Sequence, residues 1–255
     1  IVPVHLFGQC ADMEAILKIA KKHNLSVIED TAQAIGASYT FSDGTVKKAG
    51  TMGTVGTTSF FPSKNLGCYG DGGAIFTNDD NLAHTIRGIV NHGMYRRYYH
   101  DVVGVNSRLD SVQAAILRIK LPLLDTYCEA RRNAARFYNK AFKSIDSIVT
   151  PTTQVCRSIC ENCNCHVFHQ YTLKITNGQR DALHKYLIDN SIPNAIYYPV
   201  ALHRQKAYAD ERYNEEDFEV TNKLIKTVIS LPMHTEFDEE QLTFITNRIL
   251  DFFNK

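Results

Sequence analysis

The chain has 255 residues, of which 44% are hydrophobic and 22% are charged, as is typical of a globular protein with a sizeable core. This composition excludes a disordered or fibrous chain. The 28 Lys and Arg residues nearly balance the 27 Asp and Glu residues, so no overall field attracts nucleic acid or an anionic membrane. No apolar run approaches the roughly 20 residues that cross a bilayer. We therefore expect a cytoplasmic protein that binds neither membrane nor nucleic acid.

The first part of the chain alternates between predicted helices and strands. Apolar residues in segment 12–23 recur at the spacing of an amphipathic helix, and the apolar run 26–28 after it is typical of a buried strand. Further strands are predicted over 57–61 and 74–77. Lys64 lies in the connection between these two strands. Asp30 follows the first strand, at the carboxyl end where open α/β sheets bind their ligands.

The rest of the chain predicts a second, smaller unit. Helices are predicted over 81–92 and 109–121, and a long charged helix follows Pro122 and ends near Phe142. Beyond Pro151 we expect a strand over 167–175, a helix over 179–190, a strand over 194–198 and a last helix from about residue 239. Asp238 and Gln241 have the spacing of a capping box for that last helix. The pattern indicates an α/β unit followed by an α+β unit.

Asp30 and Lys64 are the candidates for chemistry. The sequence has no nucleophile elbow, no Walker phosphate loop, no zinc-protease motif and no dinucleotide-binding glycine motif. A lysine amine can form a Schiff base with an aldehyde, and a carboxylate at a strand end can keep a pyridine nitrogen protonated. From the pattern alone, the favoured interpretation of the same two residues is a surface lysine and an aspartate that caps a helix.

Motifs spread along the chain change this balance. They occupy residues 4–9, 29–37, 57–73, 91–93, 104–110 and 113–117. In this order they resemble the DegT/DnrJ/EryC1/StrS family of sugar-nucleotide aminotransferases. The resemblance implies an α/β fold of the fold-type I pyridoxal-phosphate-dependent transferases, with a mostly parallel sheet in a large domain and a small α+β C-terminal domain. It assigns residues 1–125 to the large domain, 126–150 to a connecting long helix and 151–255 to the small domain.

The resemblance also implies roles for single residues. Lys64 matches the catalytic lysine that holds pyridoxal 5'-phosphate as a Schiff base and moves the proton, and Asp30 matches the carboxylate paired with the ring nitrogen. Gln33 matches a glutamine beside the ring, and Ser59 a serine that binds the cofactor phosphate. Asn106 matches an asparagine that reaches the phosphate in the neighbouring subunit's site, so a homodimer with shared active sites is expected.

The same comparison suggests a substrate. The chain most resembles enzymes that aminate a UDP-linked 3-oxo-2-acetamido-hexuronate in the biosynthesis of surface polysaccharides such as lipopolysaccharide O-antigen, with glutamate as the expected amino donor. Arg108 would bind the uronate carboxylate, and Tyr198 and His203 would approach the sugar. Tyr197 stands where these enzymes carry histidine, so a 4-keto-6-deoxy nucleotide sugar stays open. Related sugar dehydratases carry histidine in place of Lys64, which disfavours dehydration.

The resemblance covers only the later part of the family's sequence. The family carries about a hundred further residues upstream of Ile1, and these supply a phosphate-binding turn and a ring stacked on the cofactor. We therefore expect the chain to be a fragment of an active enzyme that lacks its N-terminal segment. The alternative is a truncated, non-catalytic relative that acts as a binding module.

Four of the seven cysteines are clustered, whereas the other three are scattered and do not suggest a secreted disulfide framework. The cluster consists of Cys156, Cys160, Cys163 and Cys165, where the family usually has a plain loop. Four thiolates could close a tetrahedral zinc site, but the last spacing is tight for one ion. A reduced cysteine-rich loop without metal is the other interpretation. A zinc-dependent nucleic-acid binder has only this cluster in its favour.

Overall fold

A computed structural model describes residues 1–153 and 164–254. The chain divides into two compact units, one made of residues 1–129 and 153–169 and the other of residues 130–152 and 170–255. No helix in the described ranges is long and apolar enough to span a membrane. The expected domain boundaries near residues 125 and 150 stay a prediction.

The first unit contains three helices and seven short strands in its described part. They are α1 (Met13–Lys22), β1 (Ile28–Asp30), β2 (Ser38–Thr40), β3 (Val46–Lys48), β4 (Val55–Ser59), β5 (Gly73–Phe76), α2 (Asp80–Val90), β6 (Met94–Arg96), β7 (Tyr99–His100) and α3 (Ser111–Lys120). Helix α1 confirms the amphipathic pattern, because its Met13 and Ala20 are buried in the core of this unit. The Asp12 side chain caps it by accepting a hydrogen bond from the Ala15 amide at 3.3 Å.

The sheet of this unit has the order β1-β4-β5. Strands β1 and β4 are parallel, and β5 returns antiparallel to β4. Beyond β1, Val4 forms a further parallel bridge with Asp30. The expected mixed α/β architecture is therefore confirmed, and the described strands of this sheet form one parallel and one antiparallel pair. Because parallel strands end on the same side, the carboxyl ends of β1 and β4 meet at one edge.

The remaining elements are α4 (Leu124–Phe142), β8 (Ile148–Val149), β9 (Tyr171–Ile175), α5 (Arg180–Asp189), α6 (Glu219–Thr227), β10 (Val228–Leu231) and α7 (Glu239–Phe253). In the second unit, β10, β9 and β8 form an antiparallel sheet in that order. Alternate residues of β9, namely Tyr171, Leu173 and Ile175, are fully buried, as their period of two predicts. Helices α5 and α7 and the capping box of Asp238 with Gln241 are confirmed.

Some predicted elements are wrong or shifted. Segment 194–198 is not a strand, since only Ala195 pairs there, with Ser230. Prolines precede and follow this segment, and neither can donate a backbone hydrogen bond to extend the pairing. Strand β9 begins at Tyr171, so the alternation from residue 167 overestimates its length. Strand β10 and the short hairpins lacked a sequence signal strong enough to predict them.

Candidate active site

Asp30 ends strand β1, as the sequence predicts. Its amide donates to the Pro3 carbonyl at 2.9 Å, and its carbonyl accepts from the His5 amide at 3.0 Å. On the other side, parallel pairing places it opposite Thr57 of β4. The side-chain Oδ1 atom accepts a hydrogen bond from the Ala32 amide at 3.0 Å. The carboxylate is therefore held at the carboxyl edge of the sheet.

Ser59 and Lys64 follow on the neighbouring strand. Ser59 is the last residue of β4, so it lies at the same edge as Asp30. Its hydroxyl oxygen accepts a hydrogen bond from the Phe61 amide at 3.2 Å. The Lys64 amide donates to the Phe61 carbonyl at 2.9 Å, which closes a tight turn that leads from Ser59 to the lysine.

Lys64 has the electrostatics of a reactive amine. Burial lowers the pKa of its side chain, because the charged ammonium loses water. The negative charge of Asp30 opposes this shift and raises the Lys64 pKa in part, so the two groups are within electrostatic reach of each other. A lowered pKa increases the fraction of unprotonated amine at neutral pH, and the unprotonated amine is the nucleophile.

Gln33 lies three residues beyond Asp30 and is partly buried. Its Oε1 atom accepts a hydrogen bond from the Phe7 amide at 2.6 Å. Phe7 has a left-handed backbone, with φ at 58°. The glutamine oxygen therefore binds the protein itself, and its Nε2 group is the donor that it could offer to a ligand.

Glu29 was not predicted from the sequence, although it precedes Asp30 directly. Its side chain is fully buried and accepts hydrogen bonds from His5 and from three amides of the 50–53 loop. The three amides are those of Gly50 at 2.8 Å, Met52 at 2.6 Å and Gly53 at 2.5 Å. Burial acts to raise the pKa of Glu29, but these hydrogen bonds outweigh it, and the pKa lies below its ordinary value. The available signal was a glutamate directly after the apolar run 26–28.

Asn106 and Arg108 lie in the first unit, on the exposed segment before α3. The Arg108 Nε atom donates to Asn106 Oδ1 at 3.2 Å. Both residues line a cavity of about 890 Å³ that runs along β5 and α2. Lys64 and Asp30 do not line this cavity.

Tyr198 and His203 belong to the second unit. Tyr198 is 53% exposed. The His203 ring stacks on Phe218 with 4.2 Å between centroids, and its Nε2 atom lies 3.2 Å from an oxygen of Glu215. Their expected role at the substrate stays a prediction.

Three cysteines of the predicted zinc cluster lie outside the described residues, namely Cys156, Cys160 and Cys163. Cys165 is described and is buried. Among the described residues, no group of three or more His, Cys, Asp or Glu side chains is arranged to hold a metal ion.

The edge of the sheet fits pyridoxal phosphate, the cofactor that the sequence resemblance implies. Lys64 supplies an amine of lowered pKa for the aldehyde carbon. Asp30 has a fixed carboxylate that would face a protonated ring nitrogen. Ser59, at the end of the neighbouring strand, has a hydroxyl group that would be available to a phosphate oxygen.

This fold and this site define a family of aminotransferases. The chain belongs to the DegT/DnrJ/EryC1/StrS aminotransferase family, whose model matches residues 1–250. It is 47% identical over 255 residues to a pleiotropic regulatory protein of Geobacillus stearothermophilus, with 99% of this chain and 65% of the relative covered. It is 45% identical over 245 residues to UDP-2-acetamido-2-deoxy-3-oxo-D-glucuronate aminotransferase of Pseudomonas aeruginosa, with 96% of this chain and 63% of the relative covered.

Solved structures agree with the fold. The crystal structure of NtdA from Bacillus subtilis with bound cofactor PMP matches with a TM-score of 0.85 and 27% identity, over 100% of this chain and 56% of NtdA. The chain spans less than two thirds of the length of the two curated relatives named above.

Proposed function

We propose that this chain belongs to a pyridoxal-phosphate-dependent aminotransferase that transfers an amino group to a keto sugar nucleotide. The observation that carries the proposal is the placement of Lys64, whose pKa burial lowers, within electrostatic reach of the Asp30 carboxylate at one edge of the sheet. Membership of the aminotransferase family supports the same reaction class. We assign cofactor binding to Asp30, Gln33, Ser59, Lys64 and Asn106.

In this proposal each residue has a distinct task. When bound, the cofactor supplies an electron sink for the carbon that loses or gains the amino group. The Nζ atom of Lys64 would hold the cofactor until the amino donor displaces it, and the freed amine would then accept and return the proton of the reacting carbon. The Asp30 carboxylate keeps a proton on the ring nitrogen, and the Ser59 hydroxyl donates to the phosphate. The Gln33 Nε2 group is a donor beside the ring.

The proposed substrate is a UDP-linked 3-oxo-2-acetamido-hexuronate. The Pseudomonas aeruginosa relative, named for such a substrate, supports this choice at 45% identity. Arg108 would bind the uronate carboxylate, because a guanidinium can donate two parallel hydrogen bonds to it. Tyr198 and His203 would contact the sugar. A 4-keto-6-deoxy sugar nucleotide is the alternative that substrate assays have to exclude.

We further propose glutamate as the amino donor and a homodimer as the active form. Asn106 and Arg108 are exposed, and the cavity of about 890 Å³ that they line does not include Lys64. Delivery of both residues to the neighbouring subunit's site accounts for this separation. In a dimer, each site would combine the sheet edge of one subunit with the segment before α3 of the other.

Covalent trapping tests the proposal. The protein is incubated with pyridoxal phosphate, reduced with borohydride, digested and analysed by mass spectrometry. We expect one adduct per chain, on Lys64, and none on Lys64→Ala. The exposed Lys47 offers a matched control, and Lys47→Ala should retain the adduct. Absence of a Lys64 adduct both from this chain and from a longer chain extended at its N-terminus would favour the binding-module alternative.

Substrate choice needs a separate assay with the longer chain. Turnover of UDP-linked 3-oxo and 4-oxo sugars is compared with glutamate as donor. We expect amination of the 3-oxo hexuronate with release of 2-oxoglutarate. Turnover of only the 4-oxo sugar would overturn the substrate assignment. The proposed reaction class would stand.

A further inference from the structure

Helix α3 packs one face against the loop that carries Lys64. Gln113, Leu117 and Lys120 are spaced at i, i+4 and i+7, so they lie on the same face of the helix. Leu117 is buried in the core of the first unit. By contrast, Val112 is 64% exposed and Ile119 is 73% exposed, so the other faces are open.

The two polar residues of this face bind the backbone of the loop directly. The Tyr69 amide donates to Gln113 Oε1 at 2.8 Å, and Lys120 Nζ donates to the carbonyl of Gly67. Gln113 thus accepts a hydrogen bond from the loop, and Lys120 donates one to it. The two loop positions, Tyr69 and Gly67, are two residues apart. The pairs are separated by 44 and 53 residues in the sequence.

Gly67 connects these contacts to the turn of Lys64. A Cβ atom at Gly67 would lie 2.4 Å from the carbonyl oxygen of Pro62, so the backbone at Gly67 is pressed against the turn that contains Pro62 and Lys64. The Cys68 amide also donates to the Phe60 carbonyl at 2.8 Å. A shift of Gly67 therefore displaces the turn and the lysine with it.

We propose that Gln113 and Lys120 are positioning residues for Lys64. They hold the loop at Tyr69 and Gly67, and through Gly67 they fix where the amine points relative to Asp30. The role rests on the proposed function, because it concerns the orientation of Lys64 toward a ligand held at the sheet edge.

Two aldehydes separate positioning from a general structural effect. Pyridoxal phosphate has to meet the amine while its ring and phosphate are bound, whereas formaldehyde forms an imine with any accessible unprotonated amine. Borohydride supplies the hydride that reduces the first imine to a secondary amine and the second to a monomethyl or dimethyl amine, and mass spectrometry locates either product on Lys64. For Lys120→Met and Gln113→Leu we expect the pyridoxal-phosphate adduct to form about tenfold more slowly. Methylation of Lys64, measured at a pH above its pKa so that every variant carries the unprotonated amine, should stay at the wild-type rate.

Conservative variants and a helix control complete the test. Lys120→Arg still donates and Gln113→Glu still accepts, so both should recover most of the wild-type rate. Arg118→Met removes a cation from the exposed face of the same helix and should behave as wild type. Circular dichroism checks that each variant is folded, and the two contacts are tested independently, so loss of one variant leaves the other.

The outcomes distinguish this role from the proposed function. If the wild-type chain forms no Lys64 adduct even when it is extended at its N-terminus, both fail. If the wild type reacts and the folded Lys120→Met and Gln113→Leu variants react equally fast, the positioning role alone is overturned. A parallel decrease in methylation would likewise overturn it, because loss of accessibility then explains the result.

Discussion

The Nε2 atom of His5 lies 2.9 Å from Oε2 of Glu29, and both side chains are completely buried. The Ala11 amide donates to the other ring nitrogen, Nδ1, at 3.1 Å. The ring proton is therefore on Nε2, and a neutral histidine donates to an ionised carboxylate. Because Glu29 directly precedes Asp30, this pair joins the turn after residues 1–5 and the 50–53 loop to the end of β1.

Replacement of Glu29 by Gln should destabilise the protein in a pH-dependent way. The carboxamide replaces one acceptor oxygen by an NH₂ group, which would then face N–H groups that donate to the carboxylate in the wild type. We expect the free energy of unfolding to fall by about 2 to 4 kcal/mol at pH 7. The folded-state pKa lies below the ordinary value of 4.5, so the carboxylate stabilises the fold above that pH. This contribution is lost as the pH falls through the folded pKa. Urea unfolding from pH 7 downward measures it.

The difference between wild type and Glu29→Gln should therefore shrink as the solution is acidified below pH 4.5. Glu211→Gln, which changes an exposed carboxylate, is the matched control and should leave stability unchanged. A constant difference between wild type and Glu29→Gln over the whole pH range would show that the charge of Glu29 is not what stabilises the structure.

Local patterns in the sequence predicted most of the helices and the main strands of the sheet. Helix α1 has both its apolar periodicity and its Asp12 cap within a dozen residues, so both can be seen in the sequence. Strand β10 is different, because Val228–Leu231 is buried throughout and directly follows a helix without a turn residue. A short apolar run of this kind fits a helix as well as a strand.

The site was predictable where its chemistry is local in sequence. Asp30 follows a strand, and Lys64 follows a signature of hydroxyl and glycine residues. The partners of Glu29 come from two distant segments, around residues 5 and 50–53, and the contacts of Gln113 and Lys120 span more than forty residues. Such contacts depend on tertiary packing, and the sequence alone does not show which donor meets which acceptor.

Asp30 should control the protonation of Lys64. Its negative charge raises the Lys64 pKa against the larger effect of burial. In Asp30→Asn only burial remains, so the Lys64 pKa should fall further. The pH at which formaldehyde methylation of Lys64 is half-maximal should therefore move to lower values. Asp71→Asn, a change of charge on the loop after Lys64, should not move it. An upward shift in Asp30→Asn would contradict the proposed electrostatics.

The capping box of α7 should contribute measurably to the stability of the second unit. Gln241 donates its amide to Asp238 Oδ1 at 2.7 Å, and its Oε1 atom accepts from the Asp238 amide at 3.3 Å. Asp238→Ala removes the first acceptor and should lower the free energy of unfolding by about 1 kcal/mol. Glu239→Ala, one residue further, should cost clearly less. Equal losses in chemical denaturation would indicate that charge near the helix end matters rather than the cap.

Gly56, the single glycine of β4, should not tolerate substitution. It is opposite Glu29 in the parallel pairing, and a Cβ atom added to it would lie 2.1 Å from the Gly50 carbonyl oxygen. The 50–53 loop would have to move away from β4 and would withdraw its amides from the Glu29 carboxylate. We expect Gly56→Ala to destabilise the protein by about 3 kcal/mol or more, measured by urea unfolding.

Gly44→Ala separates this effect from the backbone cost of replacing a glycine. Gly44 has a φ of 85° but no atom within 4 Å of an added Cβ, so its substitution should cost only about 1 kcal/mol. In addition, Gly56→Ala combined with Glu29→Gln should destabilise by less than the sum of the two changes, because both disrupt the same hydrogen bonds. Strict additivity would mean that the close approach of Gly56 to Gly50 does not support the buried carboxylate.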